Sequence, residues 1–120
     1  MMHHSTTVFT VKDVAASTAY YRDKLGFDLA FEWGTPPYYV GLCSGGVQLH
    51  LVSSGHAPRP PGHGAVAIFV DDADGLHADL QKRGARILKA PADQAYGLRD
   101  FDVADLDGNM LFFGMETPKN

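Results

Sequence analysis

A pattern of strand, acidic turn and helix occurs twice in this chain, and the repetition constrains its fold more than any other feature. In the first half, residues 8–13 precede a helical stretch that ends at Gly26. About 59 residues further on, residues 67–72 precede a second helical stretch that ends at Gly84. β-rich runs follow each helix, so each half predicts the order β-α-β-β-β. Because half a chain of this size buries too little apolar surface alone, the two halves must share a core.

The predicted fold class is α+β, with two βαβββ modules that form curved mixed sheets around a cleft. We expect a single domain over residues 1–120, with module one at about residues 6–53 and module two at about residues 65–115. Residues 54–64 lie between them, are rich in Pro and Gly and have no apolar period. Such a composition is typical of a linker.

Local signals predict where the helices start and how module two continues after its helix. Asp13 can cap the first helix with a side-chain oxygen, and either Asp72 or Asp74 can cap the second. After the second helix, residues 85–88 predict a short strand and residues 90–95 predict a loop.

The last part of the chain predicts a hairpin over residues 96–114, with Leu106 in its first arm. Asp-Gly-Asn at residues 107–109 supplies the turn, because Gly adopts a positive φ without cost and Asp and Asn bond to their own backbone. The second arm is apolar at four successive positions, residues 110–113. Both of its faces should therefore contact something other than water. One face is expected to pack on helices, and the other to line a pocket or an interface.

Composition excludes several classes of partner. The net charge of −4 argues against nucleic acid, which requires clustered Lys and Arg, and leaves room for a neutral or cationic small molecule. No run approaches the roughly 18 apolar residues of a membrane span, so we expect no membrane partner. We see no signal-peptide pattern, and the single cysteine, Cys43, fits a reducing compartment. The expected location is the cytoplasm.

With these motifs in hand, the chain resembles the vicinal oxygen chelate superfamily. This is the group of glyoxalase I, bleomycin-resistance proteins and extradiol dioxygenases. The resemblance covers nearly the whole chain, and its motifs are residues 11–13, 19–27, 70–72, 97–101 and 105–109. It implies paired βαβββ modules with a cleft between curved sheets, and often a homodimer whose sites include both chains.

Catalytic members of that superfamily hold a divalent metal with His, Gln and Glu side chains on strands of both halves. The resemblance places the four ligand positions on or near Thr6, at His50, at about Ala65 and at Phe112. Only His50 is a good ligand among them, whereas a divalent metal needs three or four convergent donors. We therefore expect no metal, no cofactor and no catalytic residues.

Residues 96–101 resemble the aromatic-Gly-x-Arg-acidic-Phe run of the bleomycin-resistance branch. Members of that branch bind a drug in an aromatic groove at a dimer interface, without chemistry. The resemblance therefore implies non-catalytic binding and sequestration of a small aromatic or cationic compound, as in antibiotic resistance. The alternative is a metal-dependent glyoxalase-like lyase or isomerase, in which His63 or Glu116 would join His50 at a metal. A third reading is a scaffold whose own side chains close the cleft.

Aromatic residues around a break in the first half are candidates for ligand binding. Residues 27–33 alternate apolar and polar side chains, which predicts a strand with Trp33 on its apolar face. Tyr38 and Tyr39 follow the break at residues 34–37. Rings with polar tips suit a groove, and a place in the core or a dimer interface is the alternative. Tyr38 and Tyr39 cannot both point inward from one strand.

Four further candidates complete the predicted site. His50 alternates with two leucines and either lines the pocket or is a hydrogen-bonded interior histidine. Phe112 either forms an apolar cleft floor or fills the cleft as core. Arg99 either contacts the ligand or forms an ion pair. Tyr96 joins the set through the motif that begins with it.

Overall fold

The computed structural model describes residues 1–118 and contains two four-stranded sheets and two α-helices. This confirms the predicted α+β fold of two βαβββ modules. Module one contains β1 (Thr7–Val11), α1 (Val14–Asp23), β2 (Asp28–Trp33), β3 (Tyr39–Ser44) and β4 (Val47–Ser53), and module two contains β5 (Ala65–Phe69), α2 (Ala73–Arg83), β6 (Arg86–Asp93), β7 (Leu98–Ala104) and β8 (Met110–Glu116). A 3₁₀ turn, Ser54–His56, follows β4.

The two sheets have the same strand order, so the repetition extends from sequence to topology. The order is β1-β4-β3-β2 in module one and β5-β8-β7-β6 in module two. The first and last strands of each module pair in parallel, and the remaining pairs are antiparallel. β4 and β8 are therefore interior strands with a neighbour on each side.

Both modules contribute to one hydrophobic core. Phe9, Tyr21 and Leu51 of module one belong to the same buried cluster as Phe101 and Leu111 of module two. The structure therefore agrees with the inference that neither half buries enough apolar surface alone.

The helix ends follow the predicted chemistry. Asp13 accepts a hydrogen bond from the Ala16 N–H at 3.0 Å, which caps α1. Asp72, rather than Asp74, caps α2 by accepting from the Gly75 N–H at 3.0 Å.

In the part of the chain that the structure describes, no helix is long and apolar enough to cross a membrane.

Two predictions about module two are wrong. β6 runs from Arg86 to Asp93, so it occupies both the predicted short strand and most of the predicted loop. Two bulges in its pairing with β7 interrupt the ladder around Pro91, and an edge strand tolerates proline there because the missing N–H has no partner to lose. Leu106 lies in the turn after β7, 47% exposed, and not in the first hairpin arm.

The turn between β7 and β8 is organised by a buried carboxylate, Asp105. Its Oδ1 accepts hydrogen bonds from the backbone N–H groups of Asp107, Gly108 and Asn109 at 2.9–3.0 Å. Its Oδ2 accepts from the Tyr21 hydroxyl of α1 at 2.9 Å. Turn and helix are therefore fixed to each other across the two modules.

Asn109 extends this joint to β1 and to the segment that connects the modules. It is fully buried, and its Nδ2 donates to the Thr10 carbonyl at 3.1 Å and to Asp105 at 2.9 Å. Its Oδ1 accepts from the Gly64 N–H at 2.8 Å. The turn residues of the final hairpin therefore set the position of module two relative to module one.

Candidate ligand-binding site

Each sheet has one face in the core and one face that the helices leave uncovered. On β4, Leu49 and Leu51 are fully buried, whereas Gln48 is exposed and His50 is half-buried. Because side chains alternate along a strand, His50 lies on the uncovered face. We call this surface the module-one open face, and it consists of Phe31, Trp33, Tyr39, Gly41 and His50.

Phe31, which was not among the predicted site residues, lies at the centre of this face. Its ring covers Gly41, where any Cβ atom would collide with it. It meets the His50 ring edge to face at 5.2 Å and lies nearly parallel to Tyr39 at 6.3 Å. A bulge at Ala30 shifts the register, so Leu29 opposes a core residue while Phe31 opposes Gly41. The predicted alternation therefore holds only beyond the bulge.

Tyr39 and His50 form the polar contact of the module-one open face. The Tyr39 hydroxyl and His50 Nδ1 are 2.8 Å apart, and the ring centroids are 5.2 Å apart. Partial burial lowers the pKa of His50 because it disfavours the charged imidazolium. His50 is therefore neutral at neutral pH, so one of its ring nitrogens donates a hydrogen bond and the other accepts one.

Trp33 and Tyr38 lie on different sides of the sheet. Trp33 is paired with Tyr39 across β2 and β3, and 66% of it is exposed, so it is not a core residue. Tyr38 instead stacks on His56, with centroids 4.1 Å apart, in a cavity of about 590 Å³ that also includes Lys12. The structure thus brings together Trp33, Tyr39 and His50 and leaves Tyr38 outside the module-one open face.

Module two has a corresponding open face, made of Ala67, Phe69, Asp100, Asp102 and Phe112. These residues line a cavity of about 340 Å³, whose wall Tyr96 completes. Phe112 opposes Ala67 on one side and Asp102 on the other, so it lies on the cavity floor and not in the core. Phe69 and Tyr96 are each 67% exposed.

Two carboxylates give this cavity a negative charge. Asp100 and Asp102 alternate with the buried Phe101 and Val103 and are half-buried. The Tyr96 hydroxyl donates to Asp100, and this hydrogen bond raises the pKa of Tyr96. Within residues 1–118 neither carboxylate forms a salt bridge. The alternation in β7 could have identified both as lining residues from the sequence.

Arg99 lies apart from the cavity, on the opposite side of β7. Its guanidinium donates to both carboxylate oxygens of Asp74 at 3.0–3.1 Å and to Asp93 at 3.1 Å. Of the two predicted roles, the structure therefore shows the ion pair, which connects α2 to β6.

The register of module one tests whether the residues present could hold the metal of the catalytic relatives. Val8, and not Thr6, pairs with His50 across β1 and β4. Thr6 lies two residues earlier, and its hydroxyl donates a hydrogen bond to Gln48 Oε1 across 3.1 Å. The residue beside His50 in the sheet is therefore aliphatic.

The register of module two gives the same answer. Ala67, and not Ala65, pairs with Phe112. Among these two pairs of residues, only His50 has a side chain that binds a metal well. No group of three or more His, Cys, Asp or Glu side chains suited to a metal occurs within residues 1–118, so neither His63 nor Glu116 completes one with His50. This donor set does not fit a divalent metal.

Comparison with known families gives one match over most of the chain. The family model described as Glyoxalase/Bleomycin resistance protein/Dioxygenase superfamily matches residues 3–113. An uncharacterised protein of Mycolicibacterium smegmatis is 32% identical over 106 residues, which cover 88% of this chain and 87% of that protein.

Solved structures agree with the family match. A member of the same superfamily from Sphaerobacter thermophilus has a TM-score of 0.82 at 25% identity, over 97% of this chain and 98% of that one. TnmS3, an antibiotic binding protein from Streptomyces sp. CB03234, has a TM-score of 0.77 at 26% identity, over 98% of this chain and 99% of that one.

Proposed function

This chain belongs to the glyoxalase/bleomycin resistance protein/dioxygenase superfamily, and we propose that within it the protein binds and sequesters a small aromatic or cationic compound without chemistry. The observation that carries the proposal is the exposure of aromatic rings on both open faces. Phe31, Trp33, Phe69 and Tyr96 are 44–67% exposed. Contiguous exposed apolar surface of this kind marks a binding site or an interface.

The chemistry of the two faces suits such a ligand. Flat rings on the module-one open face provide stacking area, and the Tyr39–His50 pair provides an orienting polar contact. The module-two open face adds an apolar floor at Phe112 and the carboxylates of Asp100 and Asp102. A compound with both a planar ring system and a positive charge matches this lining better than an anion does.

We propose further that a second copy of the chain completes the groove. The radius of gyration is 14.8 Å, above the roughly 13.6 Å of a compact chain of this length. The exposed rings Phe31, Trp33, Phe69 and Tyr96 show that each open face is left to solvent in the single chain. In a homodimer, the module-one open face of one copy would oppose the module-two open face of the other and bury these rings.

Two further observations favour a binder over an enzyme. A solved relative at 26% identity is described as an antibiotic binding protein. In addition, His50 is paired with the aliphatic Val8 and Phe112 is paired with Ala67, so the neighbours of the two positions add no metal ligand.

Calorimetric titration with proflavine, a planar tricyclic cation, tests the proposal. We expect saturable binding with micromolar or tighter affinity, accompanied by quenching of Trp33, the single tryptophan. Tyr39→Ala should weaken binding about tenfold through loss of ring contact. Tyr38→Ala is the matched control. Tyr38 is next to Tyr39 in the chain but lies on the other side of the sheet, so its truncation should leave the affinity for proflavine unchanged.

Metal content separates the binder from the enzyme. Protein purified without added metal should contain no stoichiometric Zn, Ni, Mn or Fe. Stoichiometric metal that is lost in His50→Ala, together with lyase or isomerase turnover, would instead establish the glyoxalase-like alternative. Failure of a panel of planar cations to bind, together with the absence of bound metal and of turnover, would leave only the scaffold reading.

A further inference from the structure

His50 has one ring nitrogen in use and one free. Nδ1 is bonded to the Tyr39 hydroxyl at 2.8 Å, and Nε2 has no hydrogen-bond partner among residues 1–118. His50 lies on the module-one open face, with its neighbours Leu49 and Leu51 buried beneath the sheet. Nε2 is therefore a polar atom that this face can offer to a ligand.

The chemistry of the two groups sets the direction of their hydrogen bond. A phenol O–H is more acidic than the N–H of neutral imidazole, and an imidazole nitrogen is a stronger base than a phenol oxygen. The favoured arrangement has Tyr39 donating and Nδ1 accepting. The ring proton of neutral His50 then lies on Nε2, because the hydrogen bond at one nitrogen fixes the tautomer at the other.

The donor is framed by aromatic rings. Phe31 meets the His50 ring at 84° and Tyr39 meets it at 73°. Gly41 keeps Phe31 flat on the sheet, since a side chain there would displace the ring. A ligand that stacks on this face brings its edge atoms toward the imidazole.

We infer that Tyr39 is a positioning residue that fixes His50 as an Nε2–H donor, and that this donor selects planar aromatic ligands with a carbonyl oxygen at the ring edge. This inference rests on the proposed function, because it names the ligand class of the same groove. A carbonyl oxygen accepts a hydrogen bond from the Nε2–H group, whereas a plain hydrocarbon edge leaves this donor desolvated and without a partner, which costs affinity.

Nitrogen NMR of the free protein tests the tautomer without any ligand. In the wild-type chain, the His50 ring should show a protonated Nε2 and an unprotonated Nδ1. Tyr39→Phe keeps the ring and removes the hydroxyl, so we expect a mixture of the two tautomers. A proton on Nδ1 in the wild type, or no change in Tyr39→Phe, would overturn the inference and leave the proposed function intact.

A matched pair of probes tests the selectivity. 2-(Aminomethyl)anthraquinone and 2-(aminomethyl)anthracene have the same charge and nearly the same area, and differ in the carbonyl groups. The wild type should bind the quinone about tenfold more tightly. His50→Phe should remove this preference. His50→Gln, whose amide also donates, should retain part of it and serves as a second variant if the first fails to fold.

The outcomes distinguish the inference about His50 from the proposed binding function. Equal affinity of the wild type for both probes contradicts the inference while supporting the proposed function. Binding of neither probe contradicts both. Tyr38→Phe, on the other side of the sheet, should leave the ratio of the two affinities unchanged; a change there would show that the ratio does not report on His50.

Discussion

The Tyr21 hydroxyl donates to the buried carboxylate of Asp105 across 2.9 Å, and the two residues are 84 positions apart in the chain. The contact joins α1 of module one to the last turn of module two. Burial raises the pKa of Tyr21, so the phenol stays protonated and remains a donor throughout the range in which the protein is handled. The relative position of the modules, and hence of their open faces, depends on this joint.

Removal of the Tyr21 hydroxyl should therefore destabilise the whole chain. Tyr21→Phe leaves a fully buried carboxylate with one hydrogen bond fewer, and we expect the free energy of unfolding in urea to fall by about 1.5–3 kcal/mol. The matched control is Tyr96→Phe, which removes an exposed tyrosine–aspartate hydrogen bond and should leave the midpoint of urea unfolding almost unchanged. Equal effects of the two substitutions would contradict a larger stabilising contribution from the buried Tyr21–Asp105 hydrogen bond.

A negative charge at position 109 should lower the free energy of unfolding more than removal of the Tyr21 hydroxyl does. Asn109→Asp preserves the shape, removes the Nδ2 donor to Thr10 and Asp105, and places a second carboxylate beside the first. We expect a loss of about 3 kcal/mol or more at neutral pH, measured by urea unfolding. The loss should shrink in acid as the new carboxylate becomes protonated. A loss that does not depend on pH would contradict the assigned repulsion.

The contact between Phe31 and Gly41 predicts a specific effect on the groove. Gly41→Ala introduces a Cβ that collides with the Phe31 ring, and the ring, which is half-exposed, should move and not the backbone. We expect a stability loss of about 1–2 kcal/mol and loss of the ring-current shift that Phe31 induces on His50 protons. Affinity for proflavine should fall. An unchanged His50 spectrum would contradict the packing described here.

His50 should make stability depend on pH in a defined direction. Its pKa is lowered below the ordinary 6.5 by partial burial, so the folded state disfavours the imidazolium. The stability that neutral His50 provides is present above about pH 6.5 and is lost as the pH falls through the folded-state pKa. Unfolding titrations of the wild type and His50→Gln should therefore diverge below pH 6.5, with the variant losing less. Parallel curves would contradict the lowered pKa.

Most of the fold could be predicted from the sequence because its signals are local. Asp13 and Asp72 cap helices through residues three positions away, and the duplicated pattern repeats these signals. Only the second part of β6 escapes prediction, because Pro91 normally interrupts a strand and the bulges against β7 make room for it. The sequence places Leu106 in the first hairpin arm, but the turn extends beyond the Asp-Gly-Asn segment and includes Leu106.

The site was less predictable because it depends on register and on distant partners. Alternation put Leu29, Phe31 and Trp33 on one face, but the bulge at Ala30 separates Leu29 from the other two. The parallel strand pairs place Val8 beside His50 and Ala67 beside Phe112, whereas the sequence pointed to Thr6 and Ala65. No local signal predicts that a tyrosine of α1 contacts Asp105.

Whether the two open faces together form a ligand groove is tested most directly by a crystal structure of the protein with proflavine. We expect two copies of the chain, with the dye stacked between Trp33 or Tyr39 of one copy and Phe112 of the other, and its charge near Asp100 and Asp102. Dye density on the helix side beside Tyr38 and His56, or a dimer that leaves both open faces in solvent, would contradict it.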